Sequence, residues 1–158
     1  MAASRLRRAR GLLLALAVVS AGCAGKSKNE AVVKPVAREL VLRPRPGING
    51  GRPVYVLVRS IDESEFLADS YRKISAMVYP NSGDPSVLAV ALIWPNRGQR
   101  VQVYASKDKA IAVYAMFAAP GDQWKLLLGQ PLRTQYLIRL DGYAISLERP
   151  PGTKDADL

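Results

Sequence analysis

Short apolar runs alternate with turn-forming residues throughout residues 36–149. No run exceeds nine residues, and Pro, Gly, Asn or Asp lies between each pair of neighbouring runs. Runs of this length, rich in Val, Ile and Tyr and bounded by turn residues, are typical of β-strands. The pattern predicts seven or eight strands, within residues 38–43, 54–60, 87–94, 100–104, 110–118, 124–128, 136–140 and 143–148.

One run is apolar on both faces. Residues 110–118 read AIAVYAMFA, so neither face of this strand can be exposed to water, and we expect a central strand covered on both sides. Asp141-Gly142 separates the last two runs and favours a tight hairpin between antiparallel strands.

A single segment has helical spacing. Apolar side chains recur near a period of 3.6 within residues 64–74, and Asp62 or Ser64 is available as the N-cap. Asp62, Glu63 and Glu65 suit the positive end of a helix dipole, and a paired-carboxylate glycosidase is the alternative reading. The fold predicted is an all-β antiparallel sandwich with a short helical insertion.

The first 23 residues have the order of an export signal. Four arginines precede an apolar run that ends in small residues directly before Cys23, the only cysteine. The stretch resembles a bacterial lipobox, although Ser20 replaces the usual leucine. We expect residues 1–22 to be removed and Cys23 to be lipidated; a plain secretory signal or an uncleaved anchor are the alternatives. Ala24 in place of an aspartate favours the outer membrane, at its periplasmic face.

The remaining chain suits one domain. Residues 23–35 are predicted to form a lipidated tether, residues 36–149 the sandwich, and residues 150–158 a flexible tail. Without the four signal arginines, 19 basic residues face 13 acidic ones. This balance favours a protein or membrane partner over nucleic acid. The chain has no histidine, so we expect no metal, no cofactor and no enzymatic activity.

The loop at residues 43–53, RPRPGINGGRP, is the candidate binding segment. Proline stiffens it, and an isolated Ile48 between arginines suggests an exposed apolar tip with cationic flanks, although the loop could also be a solvated connector. Trp94 and Trp124 could stack sugars, but their apolar strands favour the core. The residues predicted to contact a partner are Arg43, Arg45, Ile48, Asn49 and Arg52.

Both halves of the domain resemble one family. The segments that carry the resemblance are residues 40–42 (LVL), 51–53 (GRP), 54–59 (VYVLVR), 66–69 (FLAD), 108–110 (DKA), 111–117 and 120–125, with the closing hairpin. Together with the lipidated terminus, they are similar to the type VI secretion lipoprotein family, TssJ.

The resemblance implies a transthyretin-like or immunoglobulin-like sandwich anchored in the outer membrane. It also implies a protein partner, the periplasmic C-terminal part of TssM, contacted through the loop between the first two strands, and no small-molecule substrate. The alternative function is a lipoprotein module for peptidoglycan, polysaccharide or a small lipid. Such a module would need a concave site of roughly 300 Å³ or more, lined by aromatics such as Trp94 or Trp124.

Overall fold

The computed structural model describes residues 34–79 and 83–148, and all eight predicted strands lie within them. The predicted signal peptide, Cys23, most of the tether and the tail at residues 150–158 lie outside the described residues. The strands are β1 Val36–Pro44, β2 Val54–Ile61, β3 Val87–Ile93, β4 Gln99–Ala105, β5 Ala110–Met116, β6 Lys125–Leu128, β7 Gln135–Asp141 and β8 Ala144–Glu148.

The strands form two four-stranded sheets. The order is β4-β1-β7-β8 in sheet A and β3-β2-β5-β6 in sheet B. All neighbours are antiparallel except β1 and β7, which pair in parallel. The predicted β-sandwich is confirmed, and the parallel pair is a feature that the sequence pattern does not reveal, because local turn signals predict only hairpins between successive strands.

The predicted central strand is β5, between β2 and β6. Its residues from Ile111 to Ala115 are fully shielded from solvent. Tyr114 points to the outer face of sheet B, where the helical insertion covers it, so its neighbours Val113 and Ala115 face the core between the sheets. Both faces of β5 are therefore covered, as its sequence requires.

The closing hairpin forms where Asp141-Gly142 predicts it. Asp141 pairs with Ala144, so the two-residue loop is Gly142-Tyr143, one position later than expected. Gly142 has a φ of 55°, and glycine at the first central position is typical of a type II′ turn, whose twist matches that of the strands.

The helical segment is divided in two. The predicted helix at residues 64–74 is α1, Glu63–Ala68, followed by α2, Tyr71–Met77. Asp69 and Ser70 between them are extended, and the Ser70 hydroxyl accepts the N–H of Lys73 at 3.3 Å to cap α2. Asp62 holds the N-cap position of α1 without a side-chain hydrogen bond to the helix. No helix in the described ranges is long and apolar enough to cross a membrane.

The break between the helices directs Asp69 into the protein. Its carboxylate is fully buried and accepts hydrogen bonds from Arg59 at 2.6 Å, Tyr114 at 2.5 Å and Lys73 at 2.7 Å. Arg59 and Tyr114 belong to the two central strands of sheet B, whereas Lys73 belongs to α2. The Lys125 ammonium adds a second link by donating to the carbonyl oxygens of Phe66 at 2.8 Å and of Asp69 at 3.1 Å. These contacts attach the insertion to the sheet.

The electrostatics of this cluster favour the charged carboxylate. Burial acts to raise the pKa of Asp69, but hydrogen bonds from Lys73 and Tyr114, together with the charges of Arg59 and Lys73, outweigh it and lower the pKa below its usual range. Burial and the bond to Asp69 raise the pKa of Tyr114. Asp69 is therefore ionised, and Tyr114 donates its proton to it.

The placement of β5 predicts the effect of a charge at Ala115. Ala115→Asp should lower the free energy of unfolding by about 3 kcal/mol, because the carboxylate would be buried without a partner. Ser146→Asp, on the exposed face of β8, should change it by less than about 0.5 kcal/mol. Thermal denaturation of both variants checks this, and an unchanged melting temperature for the first would contradict the interior position.

The Asp69 cluster predicts a pH-dependent contribution to stability. Asp69→Asn should lower the free energy of unfolding at pH 7 by about 3–5 kcal/mol, since Arg59 would keep a buried charge without its main partner. The folded pKa of Asp69 is lowered, so its contribution is fully present above the unfolded value of about 3.9 and is lost as pH falls through the folded value.

The difference in free energy of unfolding between wild type and Asp69→Asn should therefore become smaller below about pH 4. Urea denaturation at several pH values measures it. Glu65→Gln, an exposed acid of α1, is the matched control and should stay within about 0.5 kcal/mol of wild type. A difference in free energy that stays constant from pH 7 to pH 3 would show that the ion pair of Asp69 does not cause the destabilisation.

Candidate protein interface

Four connections gather at one end of the sandwich. β1 ends where its neighbour β4 begins. In the same way, β3 ends beside the start of β2, β5 beside the start of β6, and β7 beside the start of β8. We call this region the loop end; it consists of residues 45–53, 94–98, 117–124 and 142–143. β1 begins at Val36, at the opposite end. Loops held by a rigid scaffold are the usual carriers of binding sites.

Asn49 holds three of these loops together. Its amide group donates to the carbonyl of Pro53 at 2.8 Å and accepts the N–H of Ala118 at 2.7 Å, while its own N–H donates to the carbonyl of Gly142 at 2.7 Å. Asn49 has a φ of 50°, a conformation that asparagine tolerates better than other non-glycine residues. The side chain is only 5% exposed, so it positions the loop and does not present itself to a partner.

The exposed apolar tip predicted at Ile48 is wrong. The side chain of Ile48 is fully buried within the hydrophobic core. The chain turns tightly at residues 48–51, with the N–H of Ile48 bonded to the carbonyl of Arg45 at 3.2 Å. Burying the isoleucine contributes about 1.5–3 kcal/mol, which favours folding the loop inwards. A charge at Ile48 would therefore disturb the fold, and it cannot serve as a selective test of binding.

The predicted arginines divide into two groups. Arg43 lies on the outer face of sheet A, where it forms an ion pair with Glu148 at 3.1 Å. Arg45 and Arg52 are exposed at the loop end, and Arg97 from the β3–β4 connection joins them. Within the described residues no ion pair involves any of these three arginines. Arg52 donates to the carbonyl of Asn49 at 3.3 Å. The loop end thus has cationic groups without acidic partners in the described part of the chain, as its sequence predicts for the first loop.

Trp94 is exposed at the same end, against prediction. Its side chain is 52% exposed, whereas Trp124 is buried as predicted and packs against Tyr71 and Tyr114 with ring centroids 5.1 Å and 5.7 Å away. Trp94 falls on the same face as Val90 and Leu92, and all three are exposed. Because β3 is apolar on both faces, its sequence does not indicate which face is covered. An exposed tryptophan beside arginines is typical of interface hot spots.

The chemistry of the loop end suits a protein surface with acidic groups. Tyr143 is 39% exposed and stacks edge-on against Phe117 at 6.2 Å. Gly50 approaches the Tyr143 hydroxyl so closely that a Cβ there would lie 3.1 Å from it. Aromatic groups and arginines without acidic partners among the described residues, on four loops of which Asn49 links three, give a surface fit for recognition.

Comparison with known proteins gives one family and one fold. The family model described as IglE, N-terminal domain, matches residues 55–140, more than half of the chain. A sequence comparison with curated proteins gives no significant match.

Solved structures of type VI secretion proteins are similar in fold. Lip from Serratia marcescens, a membrane-bound component of the type VI secretion system, is 16% identical, with a TM-score of 0.59 over 73% of this chain and 98% of that one. The lipoprotein TssJ1 from Pseudomonas aeruginosa is 16% identical, with a TM-score of 0.57 and the same coverage. A chain of the structure described as the type VI protein TssM C-terminal domain from EAEC is 21% identical, with a TM-score of 0.57 over 75% of this chain and 100% of that one.

The matched region begins in β2 and ends in β7, so it contains the helical insertion, the Asp69 cluster, nearly all of sheet B and the strands β4 and β7 of sheet A. The chain therefore belongs to the family described as IglE, N-terminal domain, and it has the β-sandwich of the type VI secretion lipoproteins TssJ, as its sequence predicts.

Proposed function

We propose that this chain is a lipoprotein of the type VI secretion membrane complex that binds the periplasmic C-terminal region of TssM and ties that complex to the outer membrane. The role is one of binding, without catalysis. The observation that carries the proposal is the loop end, where Arg45 and Arg52 are exposed on the loop held by Asn49, and Trp94 and Arg97 are exposed on the β3–β4 loop.

The direction of the domain supports this role. β1 starts at Val36, opposite the loop end, so a lipid at Cys23 would approach the domain from the far side. A tether of 13 residues spans about 20 Å on average. The nine residues of β1 add about 30 Å. An anchor at Cys23 would therefore leave the loop end free to meet a partner that extends from the inner membrane.

The alternative function has partial support. A groove of about 570 Å³ lies on the outer face of sheet B, lined by apolar side chains that include Tyr55, Val90 and Met116. Its volume suits a small lipid. Neither Trp94 nor Trp124 lines it, and apart from Tyr55 and Tyr79 its lining is mainly aliphatic or thioether. The groove favours a protein segment or an acyl chain over polysaccharide.

Loss of the lipid should release the protein. Cys23→Ser should move the chain from the outer-membrane fraction to the soluble periplasmic fraction, because several buried acyl chains, at about 0.8 kcal/mol for each CH₂, hold a lipoprotein on its bilayer. Fractionation after a salt wash measures this. A variant that still sediments with the outer membrane would show that something other than the lipid anchors it.

Charge reversal at the loop end should weaken the partner contact. Arg45→Glu combined with Arg52→Glu should reduce affinity for the periplasmic C-terminal region of TssM at least tenfold, mainly through slower association, and the loss should shrink at high salt. Lys107→Glu, an exposed change in the β4–β5 turn at the opposite end, is the matched control.

Interferometry with the detergent-solubilised lipoprotein at low and high salt measures both rates. No binding by the wild type would reject TssM as the partner. Equal binding by wild type, the double variant and the control would reject the loop end as the contact surface.

A further inference from the structure

The four edge strands of the sandwich differ in charge. β4, β6 and β8 each carry a charged residue, Arg100, Lys125 and Glu148 respectively. β3, the outer strand of sheet B, reads VLAVALI and has none. Charged side chains on an edge strand are a common device against pairing with other chains. β3 is therefore the least protected edge of the part of the chain that the structure describes.

The two open sides of the sandwich also differ. On one side the N–H of Ile145, in β8, donates to the carbonyl of Gln123 next to β6 at 2.8 Å, which ties the sheets together. On the other side β3 and β4 face each other without a backbone hydrogen bond between the described residues. Since β3 pairs only with β2, every second residue directs its N–H and C=O away from the sheet. This edge can accept another strand.

The face beside this edge is apolar. Val90 is 41% exposed and Leu92 36% exposed, and the groove of about 570 Å³ lies next to them, between β3 and the end of α2. The outer face of sheet A is different, because there Glu39 and Glu148 form ion pairs with Arg100, Arg43 and Arg139. The uncovered part of sheet B is thus apolar where the equivalent part of sheet A is polar, a contrast typical of an interaction surface.

The charges around β3 indicate what covers it. Arg97 follows the strand and has no ion pair within the described residues, whereas Asp84, before the strand, is already bound by Ser86 and lies 3.8 Å from Arg59. If two copies paired antiparallel through β3, Arg97 of one copy would lie near Asp84 of the other, which is already engaged. An acidic group from another protein would pair with Arg97 without that competition.

We propose that β3 is the docking edge for an extended segment of the partner protein, which adds to sheet B as a fifth strand. This inference rests on the proposed function and extends it from the loop end to the side of the sandwich. Backbone hydrogen bonds to β3 hold the segment, alternate apolar side chains pack beside Val90 and reach the groove, and an acidic residue of the segment lies against Arg97.

Lysine substitutions on the edge test the proposal. Val90→Lys and Leu92→Lys keep an aliphatic stem on the surface but bring a charge to the docking strand. Each should weaken binding of the TssM C-terminal domain to the detergent-solubilised lipoprotein at least tenfold. Tyr104→Lys is the matched control, because Tyr104 is 60% exposed on the charged edge strand β4; it should bind within twofold of wild type.

Hydrogen exchange on the wild-type protein gives a readout that does not depend on variants. Binding should slow the exchange of alternate amides within residues 89–93 by at least tenfold, whereas docking through side chains alone would leave them unchanged. Melting temperatures of the variants confirm that they are folded.

The outcomes separate this inference from the proposed function. One outcome would reject the inference but keep the proposed function. In it, the double variant at Arg45 and Arg52 binds at least tenfold more weakly than wild type, the β3 variants bind as wild type does, and the exchange of the β3 amides does not change on binding. No binding by the wild type overturns both. A wild-type dimer in sedimentation that Leu92→Lys dissociates would identify a second copy as the occupant and overturn the inference.

Discussion

The buried carboxylate of Asp69 determines how the two parts of this protein fit together. It lies between Arg59 and Tyr114 of sheet B on one side and Lys73 of α2 on the other. A buried charge is costly unless its partners satisfy it, and here three donors do so at 2.5–2.7 Å. Because breaking one bond leaves charges unpaired in the interior, the insertion cannot slide across the sheet.

The position of the insertion decides which part of sheet B stays uncovered. α1 and α2 shield Tyr114 and Leu57 at the centre of the sheet, whereas Tyr55, Val90 and Leu92 remain exposed beside the end of α2. The groove beside the end of α2 therefore depends on the Asp69 cluster, whereas β3 is an edge because of the strand order of sheet B. The shape of this apolar surface thus depends on polar contacts that lie well inside the domain.

A second constraint acts at the loop end. Asn49 satisfies backbone groups of Ala118 and Gly142, on two other loops, while its own backbone adopts a left-handed conformation. Burial of Ile48 adds an apolar anchor to the same turn. The first loop is thus held at its centre, and the arginines on either side of that anchor occupy defined positions. Preorganised loops lose less entropy on binding.

The sequence by itself determined the strands, the hairpin at Gly142 and the burial of β5, because each depends on local alternation, turn chemistry or the lack of any polar face. It also indicated the family. It could not place Ile48 or Trp94 correctly, since an apolar residue in a loop may turn inwards and a tryptophan at a strand end may turn outwards.

Only the tertiary structure decided those two positions, along with the parallel pairing of β1 with β7, the break at Asp69 and the uncharged edge left open at β3. Each depends on which distant segments meet. Long-range pairing is set by the combined packing of both sheets and by the need to satisfy buried polar groups, and neither can be read from the spacing of residues along one strand.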